Sequence, residues 1–136
     1  MIIQKEIRLS HYAYGVHLIT GEIIRHLPQL PKEGILHLFI KHTSAGLTIN
    51  ENADPSVRDD FEHFFDYLIP EDWPEYTHTM EGSDDMPAHI KSSLFGSSVS
   101  IPISDGKLNV GTWQGIYLGE FRRRGSQRNL VATIYS

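Results

Sequence analysis

The chain has no cysteine. That excludes disulfides, thiolate nucleophiles, zinc fingers and iron–sulfur clusters, and it fits a reducing cytoplasm. No apolar run approaches the roughly 20 residues of a membrane-spanning helix. The opening MIIQKEIRLS lacks the long apolar stretch of a signal peptide. Positive charge is also scarce: the formal net charge is −5, which argues against general nucleic-acid binding. The one basic run is EFRRRGSQR, with Arg122, Arg123, Arg124 and Arg128. Linkers, repeats and low-complexity tracts are missing, so residues 1–136 are expected to form one domain, large enough for a real core. Histidine, by contrast, is abundant, with eight residues.

Hydrophobic patterning predicts mainly strands. IIQKEIRL, YGVHLIT, GILHLFIKH, GLTIN, SVSIPI, KLNVGTWQGIYLGEF and NLVATIYS are rich in β-branched and apolar residues. GILHLFIKH is apolar on both faces and is expected to lie centrally in a sheet. Thr20 is a candidate N-cap for a short helix stopped by Pro28. The clearest helix follows Asp54 as N-cap and Pro55 as first residue. Its stripe of Val57, Phe61, Phe64, Phe65 and Leu68 is expected to be buried, with His63 on the solvent side. A further short helix is expected from near Pro87 to Gly96, with Met86, Ile90 and Leu94 facing the core. Strands interrupted by helices, without regular βα alternation, favour an α+β fold with a largely antiparallel sheet or sandwich.

Polar chemistry gathers in three places. YTHTMEGSDDMPAHIKSSLFG carries His78, Glu81, Asp84, Asp85 and His89 around a helix start. Imidazoles with carboxylates suit a divalent ion or acid–base work; the competing reading is a capped helix with solvated histidines. KHTSAGLTINENADP puts His42 at a strand end and Asn50, Glu51, Asn52 and Asp54 at the mouth of the next helix. A tight turn and a helix cap would account for that segment as well. GTWQGIYLGEFRRR repeats glycine every four residues, at Gly111, Gly115 and Gly119. Trp113 offers a stacking face and Gln114 an amide, and Arg122 offers a fork for phosphate.

Taken in order, these stretches resemble the YjbQ-like family, small proteins linked to a secondary thiamine-phosphate synthase activity. The resemblance runs from GILHLFIKHTSAGLTINENADP through YTHTMEGSDDMPAHIKSSLFGSSVSIPI to LNVGTWQGIYLGEFR. It implies an α+β fold with a mostly antiparallel, β-sandwich-like core, two or three helices, and a homotrimer. It also implies a polar pocket near a subunit boundary, formed by His42, Asn52, Asp54, His78, Glu81, Asp85, His89, Lys91 and Gln114.

The expectation is therefore a cytoplasmic small-molecule enzyme with no nucleic-acid or membrane partner. His78, His89, Glu81 and Asp85 are the catalytic candidates. Asn52, Asp54, Lys91, Trp113, Gln114 and Arg122 are the candidates for holding a substrate, which would be phosphorylated if diphosphate is displaced. His42, His78 and His89 are expected to converge within roughly 5 Å of a divalent ion, Zn²⁺ or Mg²⁺. The alternatives are a non-catalytic metal- or ligand-binding homotrimer, or a purely structural histidine cluster.

Overall fold

A computed structural model describes all residues, Met1–Ser136. In chain order the elements are β1 (Ile2–Arg8), β2 (Gly15–Leu18), α1 (Thr20–His26), β3 (Glu33–Ile40), β4 (Ala45–Glu51), α2 (Pro55–Leu68), α3 (Asp85–Phe95), β5 (Ser98–Ser104), β6 (Lys107–Leu108), β7 (Gln114–Glu120) and β8 (Asn129–Tyr135). A five-stranded sheet has the order β1-β8-β3-β5-β6, and a three-stranded sheet has the order β2-β7-β4. Every pairing is antiparallel. The α+β sandwich expected from the patterning is present.

Strand alternation explains the layers. Leu36, Leu38 and Ile40 of β3 meet Leu47 of β4 and Ile116 and Leu118 of β7 in the main core between the sheets. Each fully buried side chain of this kind contributes about 1.5–3 kcal/mol. The opposite face of β7 carries Tyr117, which joins Val16, Ala88, Phe95 and Phe121 in a second, smaller cluster. Phe61 and Phe65 of α2 pack on that cluster. Helices α2 and α3 thus form a third layer on the small sheet.

Several expectations need correction. β3 is central, but only one face is covered: Ile35 and Phe39 on the other are 47% and 44% exposed. No residue of α2 is fully buried, and Phe64 and Leu68 are exposed. The helix lies on the three-stranded sheet by one narrow edge, so only Phe61 and Phe65 of its stripe reach the aromatic cluster. α3 begins at Asp85, and its buried residues include Asp85, Ala88, Ser92 and Phe95, while Leu94 is exposed. Its inner face is set by what it meets on β4, and that is backbone. Thr20 does not cap α1; Ile19 holds the N-cap position, and Thr20 Oγ1 accepts from the Ile116 N–H at 2.8 Å. His63 is exposed, as expected.

Gly46 sets the approach of α3 to β4. A Cβ there would lie 2.7 Å from Phe95 Cβ, 3.0 Å from the Gly96 carbonyl and 3.1 Å from the Ser92 carbonyl. Two of those neighbours are backbone and cannot move aside. Gly46→Ala should therefore cost about 1–3 kcal/mol through overpacking. Gly21, inside α1, has only the flexible Arg25 guanidinium nearby, at 3.5 Å. Gly21→Ala should stabilise by about 0.4–1 kcal/mol by restricting the unfolded chain. Urea unfolding of both variants checks the pair; a neutral Gly46→Ala would show that the helix is not seated on the strand backbone.

Candidate metal centre and adjoining cleft

The start of α3 carries a buried carboxylate surrounded by donors. Asp85 is 1% exposed. Its Oδ2 lies 2.7 Å from His78 Nε2 and 3.1 Å from His89 Nε2. Its Oδ1 accepts from Arg122 Nη1. Arg122 Nε also donates to Asp84 Oδ2 at 3.1 Å, and Nη2 donates to the Glu81 carbonyl at 3.1 Å. The N–H of Arg123 donates to Asp84 Oδ2 at 2.9 Å. Asp84 is the N-cap residue, yet its carboxylate serves these arginines and not the helix. Both acids sit at the positive end of the helix dipole, which favours them. Burial raises the Asp85 pKa, but the His78 bond and the charges of His89 and Arg122 outweigh it and hold the carboxyl below its usual range.

The orientation of His89 decides what this cluster can hold. Its Nδ1 lies 2.9 Å from the Thr43 carbonyl, an atom that only accepts. Nδ1 therefore carries a proton. In the neutral ring Nε2 then presents a lone pair to Asp85 Oδ2, 3.1 Å away. Two acceptors at that distance need a cation between them, either a second ring proton or a metal ion. A carbonyl fixing the second nitrogen of a ligating imidazole is the usual support for a metal ligand. His78, Asp85 and His89 offer ligand atoms all within 4.8 Å of one another. Tetrahedral zinc, with bonds of about 2.0–2.2 Å, sets its ligand atoms about 3.3 Å apart, so the 3.1 Å spacing of His89 and Asp85 fits, while the 2.7 Å hydrogen bond of His78 to Asp85 would have to lengthen to admit the ion. The Asp85 side chain is 2% exposed, while His78 and His89 are 46% and 29% exposed. The cluster is closed behind and open in front, as in zinc sites that keep a position for substrate. Two imidazoles and one carboxylate suit Zn²⁺ better than Mg²⁺, which prefers oxygen.

His42 does not join the other two histidines. The Asn129 N–H donates to His42 Nε2 at 2.8 Å, and Arg128 Nη1 lies 3.4 Å from Nδ1. Burial and the positive charges of Arg128 and Lys41 push its pKa down against the opposing pull of Glu120. Arg128 is itself fixed by a two-pronged pair with buried Glu120, at 2.7 and 2.6 Å, and donates to Ser44 Oγ at 3.0 Å. His42 instead shares a cleft of about 680 Å³ with Thr43, His89, Ser92, Ser93 and Ser97. Hydroxyls and imidazoles line it, without a carboxylate or a fixed cation.

The other expected substrate residues lie elsewhere. Lys91 is 2% exposed and donates to Tyr14 Oη at 2.7 Å and Asp66 Oδ1 at 2.8 Å, so it is an internal ion pair. Every hydrogen bond of the Arg122 guanidinium goes to Asp84, Asp85 or the Glu81 carbonyl, so it positions acids and is not left to bind phosphate. Glu81 is exposed beside them. Asp54 caps α2 by accepting from the Ser56 N–H at 2.9 Å. Asn52 Nδ2 donates to the carbonyls of Thr112 and Gln114, and Gln114 Oε1 accepts from the Gly111 N–H. Trp113, on this turn, is 65% exposed. The turn sits at the far end of β4 from Thr43, and the seven residues of β4 alone span roughly 20 Å. Within one chain the motif residues thus form two separate groups. The Glu120–Arg128 pair and the Tyr14–Asp66–Lys91 group were not foreseen. The usable signal for the first was an acid at an inward position of an otherwise apolar strand.

Residues 5–136 match the family described as UPF0047 protein YjbQ-like. The UPF0047 protein YjbQ of Escherichia coli O157:H7 is 49% identical over 133 residues, covering 96% of both chains. Its Salmonella typhimurium relative is 50% identical with the same coverage. A solved conserved hypothetical protein from Thermus thermophilus superposes with a TM-score of 0.81 at 31% identity, over 93% of this chain and 97% of that one.

The depressed pKa of His42 has a consequence for pH dependence. Below the unfolded value of about 6.5, the unfolded chain takes up this proton before the native state does. The stability tied to neutral His42 is therefore complete above that value and lost as pH falls below it. The gap in urea midpoint between the native protein and His42→Gln should be constant above about pH 7 and narrow on acidification. A gap that widens toward acid would show that His42 gains a proton on folding.

Proposed function

We propose that this chain, which belongs to the YjbQ-like UPF0047 family, holds a zinc-type divalent ion through His78, Asp85 and His89 and acts on a small molecule in the adjoining cleft. The observation that carries this reading is His89: its Nδ1 proton is committed to a backbone carbonyl and its Nε2 faces a buried carboxylate. A bound ion of this kind supplies Lewis acidity toward a carbonyl or phosphoryl oxygen. The chain's own residues would do the rest. Arg122 and Asp84 hold Asp85 in place. Ser93 and Ser97, with His42, present hydroxyl and imidazole groups to the body of the substrate. His42, kept neutral beside Arg128, has its Nε2 lone pair taken by the Asn129 N–H, so its ring shapes the wall of the cleft and is not a proton acceptor. A diphosphate-displacing, thiamine-phosphate-synthase-like transferase activity fits as a secondary reaction, but Lys91 and Arg122 are bound internally and give its leaving group no free cation.

Assembly belongs to the same reading. Ile35, Phe39 and Tyr135 leave an apolar row exposed on the outer face of the large sheet. The polar turn at Trp113 is too far from the histidines to serve them within one chain. Both features support a homotrimer in which the turn of one copy completes the cleft of another. The lack of cysteine suits a cytoplasmic setting, and no helix is long and apolar enough to cross a membrane.

Two measurements test these proposals. Elemental analysis after dialysis should find about one zinc-type ion per chain, lost in His78→Ala and His89→Ala. His42→Ala, outside the ligand set, should keep the ion, and turnover of a phosphate-ester or carboxylate-ester panel should be lost together with the ion in the two ligand variants. Metal retained by His89→Ala would overturn the site. Separately, sedimentation equilibrium should give three times the 15.5 kDa chain mass, and Phe39→Lys should lower it; a monomeric native protein would remove the shared cleft.

A further inference from the structure

A second cavity lies at the end of the sandwich, where α1 and the β5–β6 hairpin meet β4 and β7. Its volume is about 330 Å³, within the range of small-ligand pockets. Ile49 and Ile116 form the floor, and Leu27, Leu30, Leu108 and Val110 form the walls. None of its lining residues belongs to the histidine cluster or to the cleft beside it. Apolar cavities of this kind take apolar ligands in preference to water.

The polar side chains at its edge each offer a donor. Thr20, Lys107 and Gln114 line the cavity, and no carboxylate does. Thr20 Oγ1 accepts from the Ile116 N–H and keeps its hydroxyl proton free to donate. Gln114 Oε1 already accepts from the Gly111 N–H, which leaves the amide Nε2 as its remaining group. Lys107 takes part in none of the chain's side-chain ion pairs. Three donors thus border an apolar chamber, and one of them is a full positive charge. Asp105 and Glu33 stand nearby on the same hairpin and on β3, but neither lines the chamber.

We infer that this cavity binds a small amphiphilic acid, its hydrocarbon body between Leu27, Leu30, Leu108 and Val110 and its carboxylate at Lys107, Thr20 and Gln114. A cation with two further donors, and no carboxylate beside them, favours an anion over a neutral alcohol or a cationic amine. The site is separate from the metal centre and so stands or falls independently of the ion; only Gln114 is shared with the turn that the trimer reading sets at a neighbouring cleft, and Lys107 and Thr20 carry the carboxylate without it.

Octanoate and octanol are the probes. Calorimetric titration of the whole protein should show octanoate binding at least about tenfold more tightly than octanol, a difference of about 1.4 kcal/mol. Lys107→Met, at an exposed position, should abolish that preference while octanol binding persists. Val110→Trp should fill the chamber and remove both. His89→Ala should bind octanoate like the native protein, which separates this site from the metal centre. Equal binding of acid and alcohol would overturn the acid class. No binding of either would overturn the site, and if Val110→Trp also lowered the sedimentation mass, the chamber would be an interface between copies of the chain.

Discussion

The carboxylate of Asp85 is the constraint around which the site is organised. It is almost wholly removed from water, and a buried charge left without partners costs several kcal/mol. The chain answers from three directions: the loop before the helix supplies His78, the next turn of the same helix supplies His89, and the segment after β7 supplies Arg122. One acid thus ties the loop that follows α2 to the helix and to the far end of the small sheet. The same pairing leaves the two imidazole nitrogens on one side of the acid, where an ion would be held.

The layered architecture follows from that small sheet having two apolar faces of different character. Toward the large sheet it offers aliphatic side chains, Leu47, Ile116 and Leu118. Toward the helices it offers aromatic ones, chiefly Tyr117 and Phe121 with Phe95 of α3 opposite, packed edge to face. Such pairs add about 0.5–1.5 kcal/mol beyond the area they bury. The aliphatic core makes the sandwich; the aromatic cluster fixes the helix that carries the ligands.

The strands and the cap of α2 were legible because they are local. Asp54 with Pro55 begins α2, and the alternation in GILHLFIKH defines the inward face of β3, as each pattern implies. The burial of the helices was not legible, because it depends on the surface they meet. α3 turns Ala88 and Ser92 inward since Gly46 brings backbone, not side chains, against it. The same limit applies to the site. His78, Asp85 and His89 lie close in sequence around one helix start, and their grouping could be read. His42, Lys91 and Arg122 have the right chemistry, but their partners Arg128, Asp66 and Asp85 lie 25 or more residues away, and such pairings leave no trace in spacing.

The orientation of His89 rests on the carbonyl of Thr43, and Ser92 Oγ donates to the same oxygen at 2.7 Å. Every amino acid carries that atom. Thr43 itself is exposed, while Gly46, three residues on, admits no added carbon. For the direction of the ring alone, the side chain at position 43 is therefore immaterial, whereas an added carbon at position 46 would push the helix from the strand. Among relatives, variation at position 43 would leave the ring's direction untouched, and a residue ranking built on identity alone would overlook the contact that aims it.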